Sequence, residues 1–152
     1  MPEADGIFIR DMISEDIPPA AALERIIFGQ EAWSEEDFKE TLSLPFATSL
    51  AAVVNDRLVG LAVVRNGWGE GYLTNIFVAP ENRRQGVARR LLKTLFSRVS
   101  SGITEGFVLE VREGNIPAIR LYESLGFSVV GMRKALYSHP TENALIMRRK
   151  TG

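Results

Sequence analysis

The sequence of 152 residues contains no cysteine and a single histidine. The first absence excludes a thiol nucleophile, a disulfide framework and a thiolate metal site, and leaves the redox compartment open. The second leaves His139 with no partners at metal-ligand spacing, so no metal is expected and His139 reads as a solvent-exposed loop residue. An excess of one charge is also missing. The 18 basic and 19 acidic residues give a net charge of −1, which removes any global attraction to nucleic acid or an anionic membrane. No apolar run approaches the roughly 20 residues that cross a bilayer, and the acidic stretch from Met1 to Gly6 has no apolar signal region. The expectation is a cytoplasmic protein, monomeric or weakly dimeric, that binds neither nucleic acid nor membrane. Repeats, low-complexity tracts and linkers are lacking too, so residues 1–152 read as one domain.

What is present is enough apolar sequence, 45% of residues, to bury a core in a chain of this length. The chain is organised around Leu73 to Val99, which reads as strand, glycine-bearing turn and helix. Leu73 to Val78 is the strand and Ala79 to Ala88 the turn, with the helix running from Arg89 onward. Val87, Leu91, Leu92, Leu95, Phe96 and Val99 recur at helical spacing and form one apolar stripe. A helix start favours acidic side chains, yet Arg83, Arg84, Arg89 and Arg90 crowd this one. Backbone N–H groups, the helix dipole and guanidinium groups together make a cradle for phosphate. Gly86 and Ala88 would let an anionic ligand approach the backbone there. A solvated basic helix face is the alternative.

The flanking segments complete a mixed α/β pattern. Gly6 to Met12 alternates as a first strand, and Asp16 before Pro18-Pro19 starts a helix with Leu23, Ile26 and Ile27 as its expected buried face and Gly29 as its stop. Ser34 to Asp37 has the form of a capping box and opens a second helix that Pro45 closes. Ser49 to Val54 and Leu58 to Val64 form a hairpin around Asn55-Asp56-Arg57. A glycine-rich turn carrying Trp68 leads into the central strand, and Ser100-Ser101-Gly102 ends the long helix. Phe107 to Arg112 is a strand, Asn115 starts a helix with Ala118, Leu121, Tyr122 and Leu125 on its apolar face, and Gly126 ends it. Strands at Phe127 to Gly131 and about Ala144 to Met147 follow, separated by a polar loop.

Three side chains in the second half admit two readings each. Glu110 lies among apolar strand residues, where a carboxylate is suited to take a proton, or it is an edge-strand residue facing water. Tyr122 is a proton donor or a core residue with its hydroxyl at the rim. Asn115 is an N-cap, with or without a ligand to bind.

Arg83-Arg84-Gln85-Gly86-Val87-Ala88 resembles the Arg/Gln-x-x-Gly-x-Gly/Ala motif of the GNAT superfamily of acetyltransferases. The run Leu109-Glu110-Val111-Arg112, with Asn115, Ala118 and Leu121 to Phe127, is similar to the RimI family of ribosomal-protein N-terminal alanine acetyltransferases. Trp33-Ser34-Glu35 with Phe38, and Ala144 to Met147, extend the likeness over almost the whole chain. The resemblance implies an α/β (α+β) GNAT fold: a central mixed, mostly antiparallel sheet of about seven strands, split at the cofactor site, with about four helices. It implies acetyl-CoA as co-substrate, its pantetheine arm against Ile76, Phe77 and Val78. Its pyrophosphate would lie on Arg84, Gln85, Gly86, Val87, Ala88 and Arg89, with Arg83, Asn115, Ala118 and Tyr122 also in contact with the cofactor. Glu110 would act as general base and Tyr122 as the acid that protonates the CoA thiolate, while Trp33 and Tyr137 would line the acceptor groove. The acceptor would be a protein N-terminus, a ribosomal-protein alanine foremost. Ala32, Leu136 and Asn143 depart from the family pattern near that groove. An acceptor that is a small amine or a lysine side chain, and a non-catalytic acyl-CoA-binding module, are the other readings.

Overall fold

The computed structural model describes residues 6–99, 102–103, 105–138 and 140–150. The expectations for Met1 to Asp5, Ser100, Ser101 and His139 fall outside them. Among the described residues, seven strands and four α-helices occur in the order β1 (Phe8–Asp11), α1 (Ile17–Phe28), α2 (Glu35–Leu42), β2 (Ala47–Val54), β3 (Arg57–Gly67), β4 (Glu70–Val78), α3 (Val87–Val99), β5 (Gly106–Arg112), α4 (Ile116–Ser124), β6 (Ser128–Tyr137) and β7 (Glu142–Lys150). The strands form one sheet in the order β1-β2-β3-β4-β5-β7-β6. Neighbours are antiparallel throughout except β4 and β5, which run parallel. This is the mixed, mostly antiparallel seven-stranded sheet that the family resemblance implies.

Local chemistry accounts for the elements. The β2–β3 hairpin turns on Asn55 and Asp56, both at positive φ (50° and 61°), the backbone a two-residue primed turn requires. Ser34 caps α2: its Oγ accepts from the Asp37 N–H at 3.2 Å, and the Asp37 carboxylate accepts from the Ser34 N–H at 2.9 Å. The apolar stripe of α3 is buried as its spacing predicts, and with α4 it covers one face of the sheet; the helix itself begins at Val87, two residues before the expected start. Helices α1 and α2 cover the other face around Phe38, Leu61, Val63 and Phe77. The expected face of α1 is corrected. Leu23 and Ile27 pack against the core as expected, beside the buried Ile17, Ala20 and Glu24, while Ile26 is 70% exposed, because Glu24 has hydrogen-bond partners inside that hold the helix in this rotation. Strands β6 and β7 are longer than their apolar segments suggest. They pair with each other through backbone groups, which carry no hydropathy signal.

The parallel β4–β5 ladder is short. It runs from Glu70↔Gly106 to Leu73↔Leu109 and then ends. At that point Val63 of β3 pairs with Asn75 and Val64 with Leu73, so Thr74 is an extra, unpaired residue. Such a bulge bends its strand, here opening β4 away from β5. The sheet is split beyond it.

Candidate active site

Two cavities adjoin this split. The first, a cleft of about 610 Å³, lies between β4, the start of α3 and the start of α4. Ile76, Phe77, Val78, Arg83, Arg84, Gly86, Val87, Ala88, Arg89, Asn115, Ala118 and Tyr122 all line it. Gln85, expected in the same set, does not line the cleft. Residues the sequence reading missed, among them Phe28, Asn82 and Leu121, complete the wall; no spacing rule places the end of α1 beside α3.

The turn before α3 holds two left-handed residues, Arg84 at φ 64° and Gly86 at φ 81°. Such alternation turns successive N–H groups toward one side, and the first N–H groups of α3 have no intrahelical acceptor. A Cβ at Gly86 would meet open space, so the backbone angle, not crowding, demands glycine. The arginine cluster is less uniform than its sequence implies. Arg83 Nε donates to the Val78 carbonyl (3.2 Å), Arg89 Nη2 to Ser124 Oγ (2.8 Å) and Arg90 Nη2 to the Ile7 carbonyl (3.1 Å). Three of the four arginines therefore brace the fold. Arg84 alone has no hydrogen-bond partner among the described residues.

On α4, Asn115 Oδ1 accepts from the Ala118 N–H at 3.3 Å, so the residue is an N-cap that also faces the cleft. Tyr122 is 6% exposed and packs edge-on to Phe127 at 5.9 Å. Burial, with a smaller contribution from Tyr137, pushes its phenol well above the ordinary tyrosine value. The hydroxyl therefore keeps its proton over the whole physiological range.

The second cavity is a groove of about 720 Å³ lined by Trp33, Arg65, Thr74, Glu110, Arg133, Leu136 and Tyr137, among others. Glu110 faces water, as one reading had it, one residue past the end of the β4 ladder and not on an outer strand of the sheet. Strand β5 lies between β4 and β7, and the carboxylate accepts from Arg133 Nη1 at 3.1 Å. Burial, and next the nearby Glu110 carboxylate, push the Tyr137 phenol up to about 12. The Arg112 guanidinium lies 4.5 Å over the Tyr137 ring and bonds Glu31, Glu142 and the carbonyls of Ser138 and Pro140, tying the loop after β6 to the segment before Trp33. Of the three departures, Leu136 lines the groove. Asn143 instead shapes β6, its Oδ1 accepting from the N–H of Ala135, a residue at φ 52°.

Trp33 serves both packing and groove. Its ring meets Phe38 edge-on at 5.2 Å, and its backbone N–H donates to Glu24 Oε1 at 3.0 Å. The other Glu24 oxygen accepts from Asn75 Nδ2 at 2.9 Å. Glu24, 1% exposed, thus links the groove wall to β4 beside the bulge. Its burial pushes the carboxyl above the ordinary glutamate value, against the two donors. The sequence signal for it existed: a lone acid four residues after Ala20 on a helix whose other residues are apolar except Arg25. Among the described residues no cluster of His, Asp or Glu could hold a metal ion, and no helix is long and apolar enough to cross a membrane.

Residues 11–127 match the acetyltransferase (GNAT) family. The chain is 31% identical over 155 residues to the N-alpha-acetyltransferase RimI of Mycobacterium tuberculosis, an alignment covering 99% of this chain and 96% of the relative. It is 34% identical over 151 residues to an uncharacterised protein of Mycobacterium leprae, of whose length it spans 41%. The crystal structure of the ribosomal-protein-S18-alanine N-acetyltransferase from Escherichia coli superposes with a TM-score of 0.84 at 30% identity, over 95% of this chain and 93% of that one.

Proposed function

Since this chain belongs to the acetyltransferase (GNAT) family and is an acetyl-CoA-dependent N-acetyltransferase, we propose that its acceptor is the α-amino group of a protein N-terminus, a ribosomal-protein alanine foremost. One observation carries this reading: the cleft and the groove adjoin at the β4–β5 split, with Tyr122 in the first and Glu110 in the second. Ile76 lines the cleft and Thr74 the groove, and Tyr137 in the groove is close enough to Tyr122 to influence its ionisation. The names carried by the M. tuberculosis and E. coli relatives support an N-terminal acceptor.

The residues present suit acetyl-CoA. Beyond Leu73 the β5-facing backbone edge of β4 has no strand partner among the described residues, which suits an amide-bearing arm laid along Ile76 and Val78. Arg84 and the N–H groups at the start of α3 suit its phosphates. When bound, the co-substrate supplies the acetyl group as an activated thioester.

The chain's own residues then have defined tasks. Glu110 exchanges its Arg133 partner for the incoming ammonium and takes a proton from it, directly or through water. An α-amino group titrates near 8, so a modest base suffices, whereas a lysine near 10.4 would demand more. The Tyr122 hydroxyl, held neutral by burial, delivers a proton to the departing thiolate. Groove and cleft align amine and acyl carbon for direct transfer, with no covalent enzyme intermediate.

The test is incubation with acetyl-CoA and a mixed peptide library, read by mass spectrometry. Products confined to α-amino termini, alanine foremost, are expected. Acetyl-lysine products, or none, would assign the groove to another amine. Glu110→Gln should leave the acetyl-CoA Kd within about twofold while kcat falls by about 10²-fold or more; parallel loss of both would make Glu110 structural.

A further inference from the structure

The acceptor groove is electrically uneven. Its charged lining consists of Arg65, Glu110 and Arg133. Arg133 and Glu110 cancel each other as an ion pair, and at the Tyr137 end Arg112 is shared by Glu31 and Glu142. Arg65, on the opposite wall, has no carboxylate partner among the described residues. Its Nη2 reaches Thr41 Oγ1 at 3.3 Å, its guanidinium lies 5.9 Å from the centre of the Trp33 ring, and its Nε is buried with no acceptor. A groove-lining guanidinium beside an aromatic ring, with no carboxylate on it among the described residues, suits a planar anion.

The sheet register sets where that anion sits. Arg65 pairs with Tyr72, and Tyr72 with Val108, two residues before Glu110. Two inter-strand steps of about 4.8 Å and two residues of about 3.3 Å separate the Cα atoms of Arg65 and Glu110 by about 12 Å. The side chains of arginine and glutamate span part of this gap, and an extended peptide advances about 3.4 Å per residue. With its terminal amine at Glu110, an acceptor therefore brings its second or third residue to Arg65.

We propose that Arg65 is a specificity-determining residue that selects acceptor N-termini bearing a carboxylate side chain at the second or third position. This rests on the N-terminal acceptor reading above. The experiment compares kcat/KM for alanine-initiated peptides carrying Asp or Glu, Gln, or Lys at those positions, with wild type, Arg65→Gln, Arg65→Glu and Arg65→Lys. Wild type should favour acidic over basic peptides by about tenfold or more at low salt. Arg65→Gln should collapse the ratio to near one, Arg65→Glu should invert it, and Arg65→Lys should keep its sign at reduced size. Each ratio is internal to one variant, so partial loss of folded protein cancels. A wild-type ratio near one, or one that survives Arg65→Gln, overturns the assignment while leaving the acceptor reading intact. Absence of α-amine product from every peptide overturns both.

Discussion

Glu24 makes the buried carboxylate a source of pH dependence. Its folded value lies above the ordinary 4.5 because burial outweighs the donors from Trp33 and Asn75. Folding thus favours the protonated form, and the stability gained is complete below the unfolded value and lost as pH rises through the raised one. Glu24→Gln removes this titration while keeping an oxygen for the Trp33 N–H. Denaturant midpoints should show wild type losing ground to the variant as pH rises above the ordinary glutamate value; a pH-independent difference would contradict the assignment. Arg84 offers a second single-residue test. As the arginine not engaged in bracing, Arg84→Ala should weaken CoA binding by about tenfold. Binding of a pantetheine thioester without phosphates should barely change. Equal losses by calorimetry would place the phosphates elsewhere.

At the scale of the element, α3 combines two functions that separate along its length. Its first turn supplies N–H groups to the cleft, whereas Leu91, Leu92 and Leu95, each at 0% exposure, anchor it to the sheet. Leu91→Ala should cost about 2–5 kcal/mol in chemical denaturation, with the acetyl-CoA Kd of the folded fraction unchanged. The stripe of α3 was legible in the sequence because helical periodicity reports burial directly. The capping box at Ser34 and the stop at Gly29, which adopts φ 60°, were legible for the same local reason. The rotation of α1 was not. Its sequence offers more apolar residues than one face can bury, and the partners of Glu24 that decide between faces come from Trp33 and from Asn75, 51 residues away.

For the molecule as a whole, the family motifs located the cleft almost completely. They missed Gln85 as a non-lining residue, since a motif gives identity and spacing but not which way a turn points. The groove was harder. Trp33, Glu110 and Tyr137 were anticipated and do share a cavity, yet Arg65 and Arg133 were not, because each becomes part of it only through pairing across strands.

The brief parallel ladder between β4 and β5 has a consequence for how the protein holds itself together. Strands β1 to β4 contact their neighbours in chain order, while β5 to β7 join them through a backbone ladder of four residue pairs, the Arg148–Glu70 and Arg112–Glu31 ion pairs and the packing of the helices. The two sets of strands thus share one apolar core but meet along a short backbone seam, where local opening follows the path with fewest bonds to break. A ligand lying in that seam acts as a staple between them. It raises the free energy of opening by mass action, so the resistance of the fold to proteolysis and amide exchange at β5 becomes a gauge of how much acetyl-CoA the cell supplies.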